Sequence, residues 1–543
     1  MNKRISLILL GLVLITSGCM SQDQSQETST FSSEQEFIDY MDGAEETRQN
    51  YAEQAETSTS SSEAVERDQA SSQTTVDDFN WIKAGENNIY VSHRYPRLFQ
   101  SINVPELGLE HNISDAGGPT VVSNDTVIVE ESYIDETNRI VGYNQDMREE
   151  WSLDLNSSVQ EMKLVGDNVV LLTRENDIRC PVRPMYGVEI ACTSVLRPPY
   201  MGQSDYVYSL TVLDAETGEE LNSTGFVASS YAEVEVDDET TYISYSDRTH
   251  ESEILADFLL NEASVSQDLR DRIRELQEYD ISDRSMQIEL ERAMREHESE
   301  NMGEIEEEFK AYDRENMRDY EDSTVLRIDN SDLTVTEETF DGRITQILPG
   351  EDTVLKREFR GINYENRESE ILINGSVVEL EGLELGYSEI QRAGEKIVLN
   401  GEDRVMVIDR EGETESIEIK AWNVQTFRDK ILVSEEGENG SLKLYNSELE
   451  EMDSLETDYS IYGFDLVEGN GTGYALLNNY DRPRLLKVTD ELEAFPTAAS
   501  GQLVYLDGLY AVGDKVQRLS TEGEVEEEIS IRSRQVRPLP EPR

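Results

Sequence analysis

The sequence predicts an all-β fold, a seven- or eight-bladed β-propeller with a helical insertion in one blade. Two observations carry that prediction. From about residue 79 onward apolar side chains alternate with a period of two, and nine short strands of one form recur: "ENNIYVSH", "NDTVIVEES", "GDNVVLLTREN", "DDETTYISYSD", "EDTVLKREF", "GEKIVLNGE", "RDKILVSEE", "GTGYALLNNY" and "DGLYAVGD". Each is a turn of Asp, Asn, Glu or Gly followed by a strand of mostly β-branched or aromatic residues. Most are followed by a second strand ending in a polar turn, as in "RVMVIDREGETESIEI" and "SLKLYNSELEEMDSL". Apart from two insertions the units repeat every 35 to 45 residues or so, the period of propeller blades. Nine such units are too many for one β-sandwich. The last strands are expected to complete a blade begun near Phe79.

Ahead of the repeats, the first 18 residues read as a lipoprotein-type signal peptide. Asn2-Lys3-Arg4 is a short basic start, and Ile5 to Ile15 form an apolar core of eleven residues, too short for a bilayer that needs about 20. Thr16, Ser17 and Gly18 lead into Cys19, which resembles a lipobox with Thr16 where an aliphatic is usual. The reading is an exported chain, lipid-anchored through Cys19 to the outer face of the cytoplasmic membrane. The alternative is an ordinary signal peptide with an incidental cysteine. Residues 19–78 are rich in Ser, Thr, Gln and Glu and read as a low-complexity tether, with a short helix at "FSSEQEFIDYMD", where Phe37, Ile38 and Met41 share a face.

Two insertions interrupt the repeats. One, at about 175–205, contains Cys180 and Cys192 flanking eleven residues; in an exported chain the pair is most simply a disulfide, two free thiols being the alternative. Closing that loop is worth roughly 2–4 kcal/mol in the chain-entropy description. The other, at about 251–322, is helical: "DLRDRIRELQEYD" puts Leu269, Ile273 and Leu276 on one face, and Met302, Ile305, Phe309 and Tyr312 repeat the pattern. Residues 79–533 are thus the propeller, and 534–543 a basic tail.

The export signal, "FSSEQEFIDYM", "IRCPVRP" and the helical insertion running into "STVLRID" together resemble the secreted proteins of bacteria and archaea with a C-terminal β-propeller domain, distantly related to WD-type repeats. The likeness covers most of residues 34 to 340. It implies a propeller at the cell surface; that family is functionally uncharacterised, so it supplies no catalytic residues.

Composition bounds the chemistry. Acidic residues number 115 against 47 basic ones, a net charge of −68. Spread along the whole chain, this matches the acidity of proteins adapted to high salt, where molar ions shrink the screening length to about 3 Å. The alternative, a cation- or base-binding function, would concentrate carboxylates locally. The sign of the charge disfavours nucleic acid and anionic membrane surfaces as partners. Pairs of acids are so common here that their proximity says nothing of catalysis.

No GxSxG, P-loop, GxGxxG or EF-hand pattern is present. His93, His111, His250 and His297 are scattered, and neither a metal site nor a cofactor is expected. "DAETGEEL", Asp214 to Leu221, resembles a quinoprotein blade turn, with Trp151 placed as a docking tryptophan would be; as a hairpin turn it is structural. Asn112, Asn124, Asn156, Asn222, Asn374, Asn439 and Asn470 each open an N-glycosylation sequon. The reading is a membrane-tethered binding or scaffold module with a protein or glycan partner at the cell surface. The alternatives are an enzyme lining the channel, a hydrolase or quinone-dependent oxidoreductase, and an envelope-protein assembly factor.

Overall fold

The computed structural model describes residues 29–531 except 56–75, 78–81, 94–97, 115, 124–125, 132–137, 176–178, 199–204, 230–231, 280, 282, 300, 351, 364–365, 379, 381–389, 402, 438–439, 458–460, 462–463, 465 and 478–482. The expected signal peptide, Cys19, Asn124, Asn439 and the basic tail lie outside the described residues.

Alternating apolar strands with short polar turns fold back on themselves, and nine four-stranded antiparallel units follow one another. Eight are separate sheets, and the third lies in a seven-stranded sheet, where Val76–Asp77 pairs with its first strand and Leu196–Arg197, itself paired with Ser29–Thr30, runs parallel to its fourth. The nine units occupy 82–114, 120–154, 157–229, 233–341, 343–378, 390–418, 421–456, 467–496 and 502–530. In each, the strands pair in chain order. Second strands such as Asn88–His93 and Leu509–Val512 are buried throughout. Fourth strands such as Glu149–Asp154 and Glu451–Glu456 are half exposed with the alternation of a perimeter. First strands of neighbouring blades meet around the axis, those of the ninth and first blades included. This is a β-propeller.

The ring has nine blades, not seven or eight. The nine recurrent segments read from the sequence are the second strands of nine separate blades. The expectation that the last strands complete the first blade is also overturned, because the first and ninth blades each own four strands. Short first strands such as Ile82–Ala84 and Gln502–Tyr505 carry little pattern, which is why sharing at the closure looked necessary. Closure is by face packing instead. Ile89, Val91 and Ile102 of the first blade pack on Tyr510, Val512 and Val516 of the ninth, and six such side chains are worth on the order of 10 kcal/mol before entropy. Arg518 caps the seam, donating to the carbonyls of Val104 and, at 3.2 Å, Pro105.

The hairpins joining third to fourth strands share one construction. Asn103, Asn144, Asp214, Asp329, Asp409 and Asn446 each accept a backbone N–H two to four residues on, the Asx turn these residues favour. Each turn ends in a left-handed residue, glycine at 218 and 412, leucine at 107, 333 and 449, and methionine at 147. In "DAETGEEL" the turn is gripped from the second blade: the Trp151 ring lies against Gly218, and its Nε1 donates to the Ala215 carbonyl at 3.2 Å. A side chain at Gly218 would collide with that ring. The motif is a structural hairpin turn, as read, and it also joins two blades.

The inner strands are also stitched together. Gln346 in the fifth blade donates to the Ile390 carbonyl of the sixth at 3.1 Å and accepts from its amide at 2.8 Å. Gln391 repeats this towards the seventh blade, with Val424 O at 3.0 Å and Thr426 N at 3.1 Å. Asn423 reaches the Phe464 carbonyl ahead of the eighth blade's first strand. Between the third and fourth blades, buried Lys163 meets Glu235 at 2.8 Å. A side-chain amide has the donor and acceptor of a peptide, so it continues the pairing across a gap that backbones do not bridge. Gln391→Leu deprives two backbone groups of their partner, at about 1–3 kcal/mol. The expected result is a lower thermal midpoint in molar salt with an unchanged circular dichroism spectrum; an unchanged midpoint would remove the stitching from the account.

Among the described residues, five α-helices complete the fold. Helix α1 is Glu34–Ala55. The second insertion comprises α2 (Glu251–Asn261), α3 (Gln267–Leu276), α4 (Asp283–His297) and α5 (Met302–Asn316). No helix of the described residues is long and apolar enough to cross a membrane.

Candidate functional site

Strand parity decides where the loops go. With first strands innermost and four strands per blade, the second-to-third and fourth-to-first connections emerge on one face of the ring. The first-to-second and third-to-fourth turns emerge on the other. Both insertions are second-to-third connections of adjacent blades, the disulfide loop between Glu175 and Asp205 and the helices between Arg248 and Glu321. They stand side by side as a crown on one face, whereas the opposite face carries short turns.

The disulfide loop is built down onto the ring. Cys180 and Cys192 are bonded, with Cα atoms 5.7 Å apart. Val182 and Ile190 pair across the loop, and Met185 pairs with Leu155 in the connection from the second blade. Ser157 Oγ donates to the Pro184 carbonyl at 2.8 Å.

On this platform lies α1, from within the stretch expected to be a tether. Phe31, Phe37, Met41 and Ala44 are buried against Val182, Ile190, Cys192, Val195, Val207 and Val227. Ser29–Thr30 adds a short strand to Leu196–Arg197 at the blade's outer edge. Arg197 stacks over Phe31 at 5.3 Å and pairs with Glu36 at 2.9 Å. Tyr40 donates to buried Asp205 at 2.6 Å. Residues 29–45 are therefore part of the packed body, which the Phe37–Met41 spacing hinted at and the surrounding polar composition hid.

The helical insertion has its own core, in which Phe258, Leu259, Leu269, Ile273, Leu276, Leu290 and Ile305 are buried. The helical stripes read from the sequence are thus an intramolecular seam. Ser266 starts α3 by accepting from Leu269 N at 3.4 Å, and its own N–H donates to Glu298 at 2.7 Å. The unit is pinned to the fifth blade by Asp313, which is fully buried. Its carboxylate accepts from Ile362 N at 2.7 Å, Asn363 N at 3.2 Å and Asn366 Nδ2 at 2.7 Å. Beside it Phe359 lies between the guanidiniums of Arg318 and Arg357, at 4.5 and 5.0 Å, and Arg318 pairs with Glu368 and Glu370 at 2.7 Å.

At the root of the insertion is an acidic cavity of about 230 Å³, lined by Asp247, His250, Glu253, Asp319, Glu321 and Asp322 among others. Asp247 and Asp322 lie directly opposite in the strand register. Burial, and then each other's or neighbouring carboxylates, raise both above the usual aspartate range. In the third blade, burial pushes Glu175 up to about 7 although Ser209 Oγ donates to it at 3.0 Å. Among the described residues no cluster of three ligand-type side chains is arranged to hold a metal ion.

The other residues singled out in the sequence are not brought together. His93 is buried with its Nε2 3.1 Å from Gln100 Oε1; His111 lies on the first blade's fourth strand, and His250 and His297 belong to the insertion. Of the described sequons, Asn112, Asn156, Asn374 and Asn470 are exposed and Asn222 is half-buried. The amides of Asn156, Asn374 and Asn470 already donate to Arg183, Asp352 and Tyr505. Sequence reasoning missed the acidic cavity, Asp313 and the adjacency of the insertions. Counting strand parity would have found the last.

No family model matches the chain. An uncharacterised protein of Archaeoglobus fulgidus is 26% identical over 344 residues, 53% of this chain and 55% of that protein, so the chain spans about half the length of the curated relative it matches. Among solved structures, a eukaryotic initiation factor is similar with a TM-score of 0.43 at 5% identity, over 78% of this chain and 90% of that one. BamB from Moraxella catarrhalis gives 0.32 at 10% identity, over 74% and 96%. Sqt1 of Saccharomyces cerevisiae gives 0.35 at 8%, over 77% and 95%. The propeller assignment rests on the strand order.

Two substitutions test the crown. Asp313→Ala strands the amides of Ile362 and Asn363, and the expected outcome is faster proteolysis within 251–319 while the blades stay resistant. For Glu175 the folded value lies above its ordinary 4.5. Its burial cost is therefore fully present above about pH 7 and fades as pH falls towards 4.5, so this group makes stability decline with rising pH. Glu175→Gln is expected to stabilise by about 3 kcal/mol at pH 8 and to gain nothing at pH 4. Denaturant melts of parent and variant at both values, in molar salt, check this; an equal difference at both sinks it.

Proposed function

We propose that this protein is a binding and scaffold module, held at the outer face of the cytoplasmic membrane through a lipid on Cys19, with the crown as its recognition surface. The observation that carries the reading is the concentration of both insertions and α1 on one face of a closed, stitched ring. Rigid scaffolds that gather their long loops on one face suit recognition. The quinone-dependent alternative loses its sequence feature, because Trp151 and the 214–221 turn are occupied with each other. The net charge of −68 supports adaptation to high salt, with the acids placed outward on fourth strands such as Val335–Asp341 and Val525–Ser530.

Photo-crosslinking residues at Arg183 and Arg292 on the crown, compared with Met452 on the perimeter, test the recognition surface in intact membranes. Adducts are expected from the crown alone, and equal yields from all three would defeat it. Cys19→Ser is expected to move the protein from the membrane fraction to the medium. In dilute buffer the strand signal is expected to collapse and to return in molar salt; indifference to salt would defeat the adaptation argument.

A further inference from the structure

The exposed large apolar side chains divide by position. Leu109, Leu221, Val377 and Met452 sit singly on perimeter strands, and Trp422 lies on an inner strand. Tyr186, Tyr279, Ile281 and Ile288 all belong to the crown's insertions. Tyr186, 80% exposed, lies at the turn of the disulfide loop, its N–H donating to the Asp154 carbonyl of the second blade at 2.8 Å. Tyr279 and Ile281 lie in the turn from α3 to α4, and Ile288, 54% exposed, lies on α4. Arg183 and Arg292, each more than half exposed, accompany them.

We propose that the occupant of the crown is the lipid bilayer surface, with Tyr186 and the α3–α4 end entering its headgroup layer. The inference rests on the reading of Cys19 as the lipid-bearing residue and adds an orientation to it. The first described strand, Ser29–Thr30, is fixed beside Leu196 on the disulfide insertion. Ten Cα steps separate it from Cys19, a reach of at most about 36 Å. An anchor that short brings the crown edge of the third blade towards the bilayer. The strand at Ser29–Thr30 lies on the crown side of the blade, since Leu196 pairs with Phe226, three residues from the crown end of Glu220–Ser229.

The side chains fit that occupant. Tyrosine carries an apolar ring and a polar tip and favours the membrane interface. Isoleucine supplies buried area, while Arg183 and Arg292 are engaged with Glu189 at 2.6 Å and Glu296 at 3.0 Å. The acidity of the chain does not prevent approach at molar salt, where charges beyond about 3 Å are screened.

The test uses the full lipidated chain reconstituted in molar salt into phosphatidylcholine vesicles with brominated acyl chains. Tyr186→Trp, Ile288→Trp and Met452→Trp are compared with the parent, whose tryptophans are Trp81, Trp151 and Trp422. The expected result is a loss of the added emission at 186 and 288 and none at 452. Co-flotation with vesicles without quenching at 186 and 288 overturns the orientation and leaves the anchor standing. Failure to co-float overturns both. Crown emission that shifts to the blue without bromine quenching, in chains that crosslink to one another or to a protein, assigns the crown to that partner instead.

Discussion

Each blade is a sheet with two apolar faces, covered chiefly by the blades on either side of it. Nothing in the molecule is stable until every blade has neighbours on both sides, so the ring must close. It closes by burying Ile89, Val91 and Ile102 against Tyr510, Val512 and Val516, with no strand exchanged between chain ends. The four-strand unit then fixes everything above it. An even strand count starts every blade from the same face, and it sends every second-to-third connection to that face. Two insertions that are separate in sequence therefore become neighbours in space.

The distribution of charge follows the same geometry. Cations are scarce, and many of them serve the seams. Arg410 reaches Asp352 across the fifth and sixth blades at 3.2 Å, Lys396 reaches Glu448 across the sixth and seventh, and Arg428 reaches Glu468 across the seventh and eighth, both at 2.5 Å. Exposed pairs of this kind contribute little singly. Their role here is to keep acids of adjacent blades from facing each other unpaired. The unpaired excess is left on the perimeter strands, where solvent ions reach it.

The period-two pattern was legible in the sequence because second strands such as Val127–Val129 and Ile431–Val433 are buried on both faces and must be apolar. First strands were not, because their side chains turn to the channel or to a neighbour's backbone, and glutamines such as Gln346 and Gln391 read there as ordinary polar residues. That difference accounts for the blade count. The insertions were legible to within a few residues, since the change from period two to 3.6 is sharp at Glu251 and at Glu321. Disulfide bonding between Cys180 and Cys192 followed from the expected export and from the spacing. The docking of α1 was only half legible: Phe37 and Met41 show the face, but its platform is assembled from Val182, Ile190 and Val227, which no local pattern links to it. Asp313 was illegible among so many carboxylates, because only its burial sets it apart.

The insertion enters and leaves through the fourth blade, yet its carboxylate at 313 is fastened to the loop of the fifth. Both ends of its chain and this third point make it a bracket across a seam. A force applied at the tip of α3 and α4 is therefore shared between two sheets. It loads the joint between them in shear, across Val325, Ile344 and Leu355, and does not peel one strand from its partner. Sheets joined over a face resist shear along many contacts at once, whereas an edge strand yields one pairing at a time. A lever mounted in this way passes displacement to the ring as a tilt of the whole body.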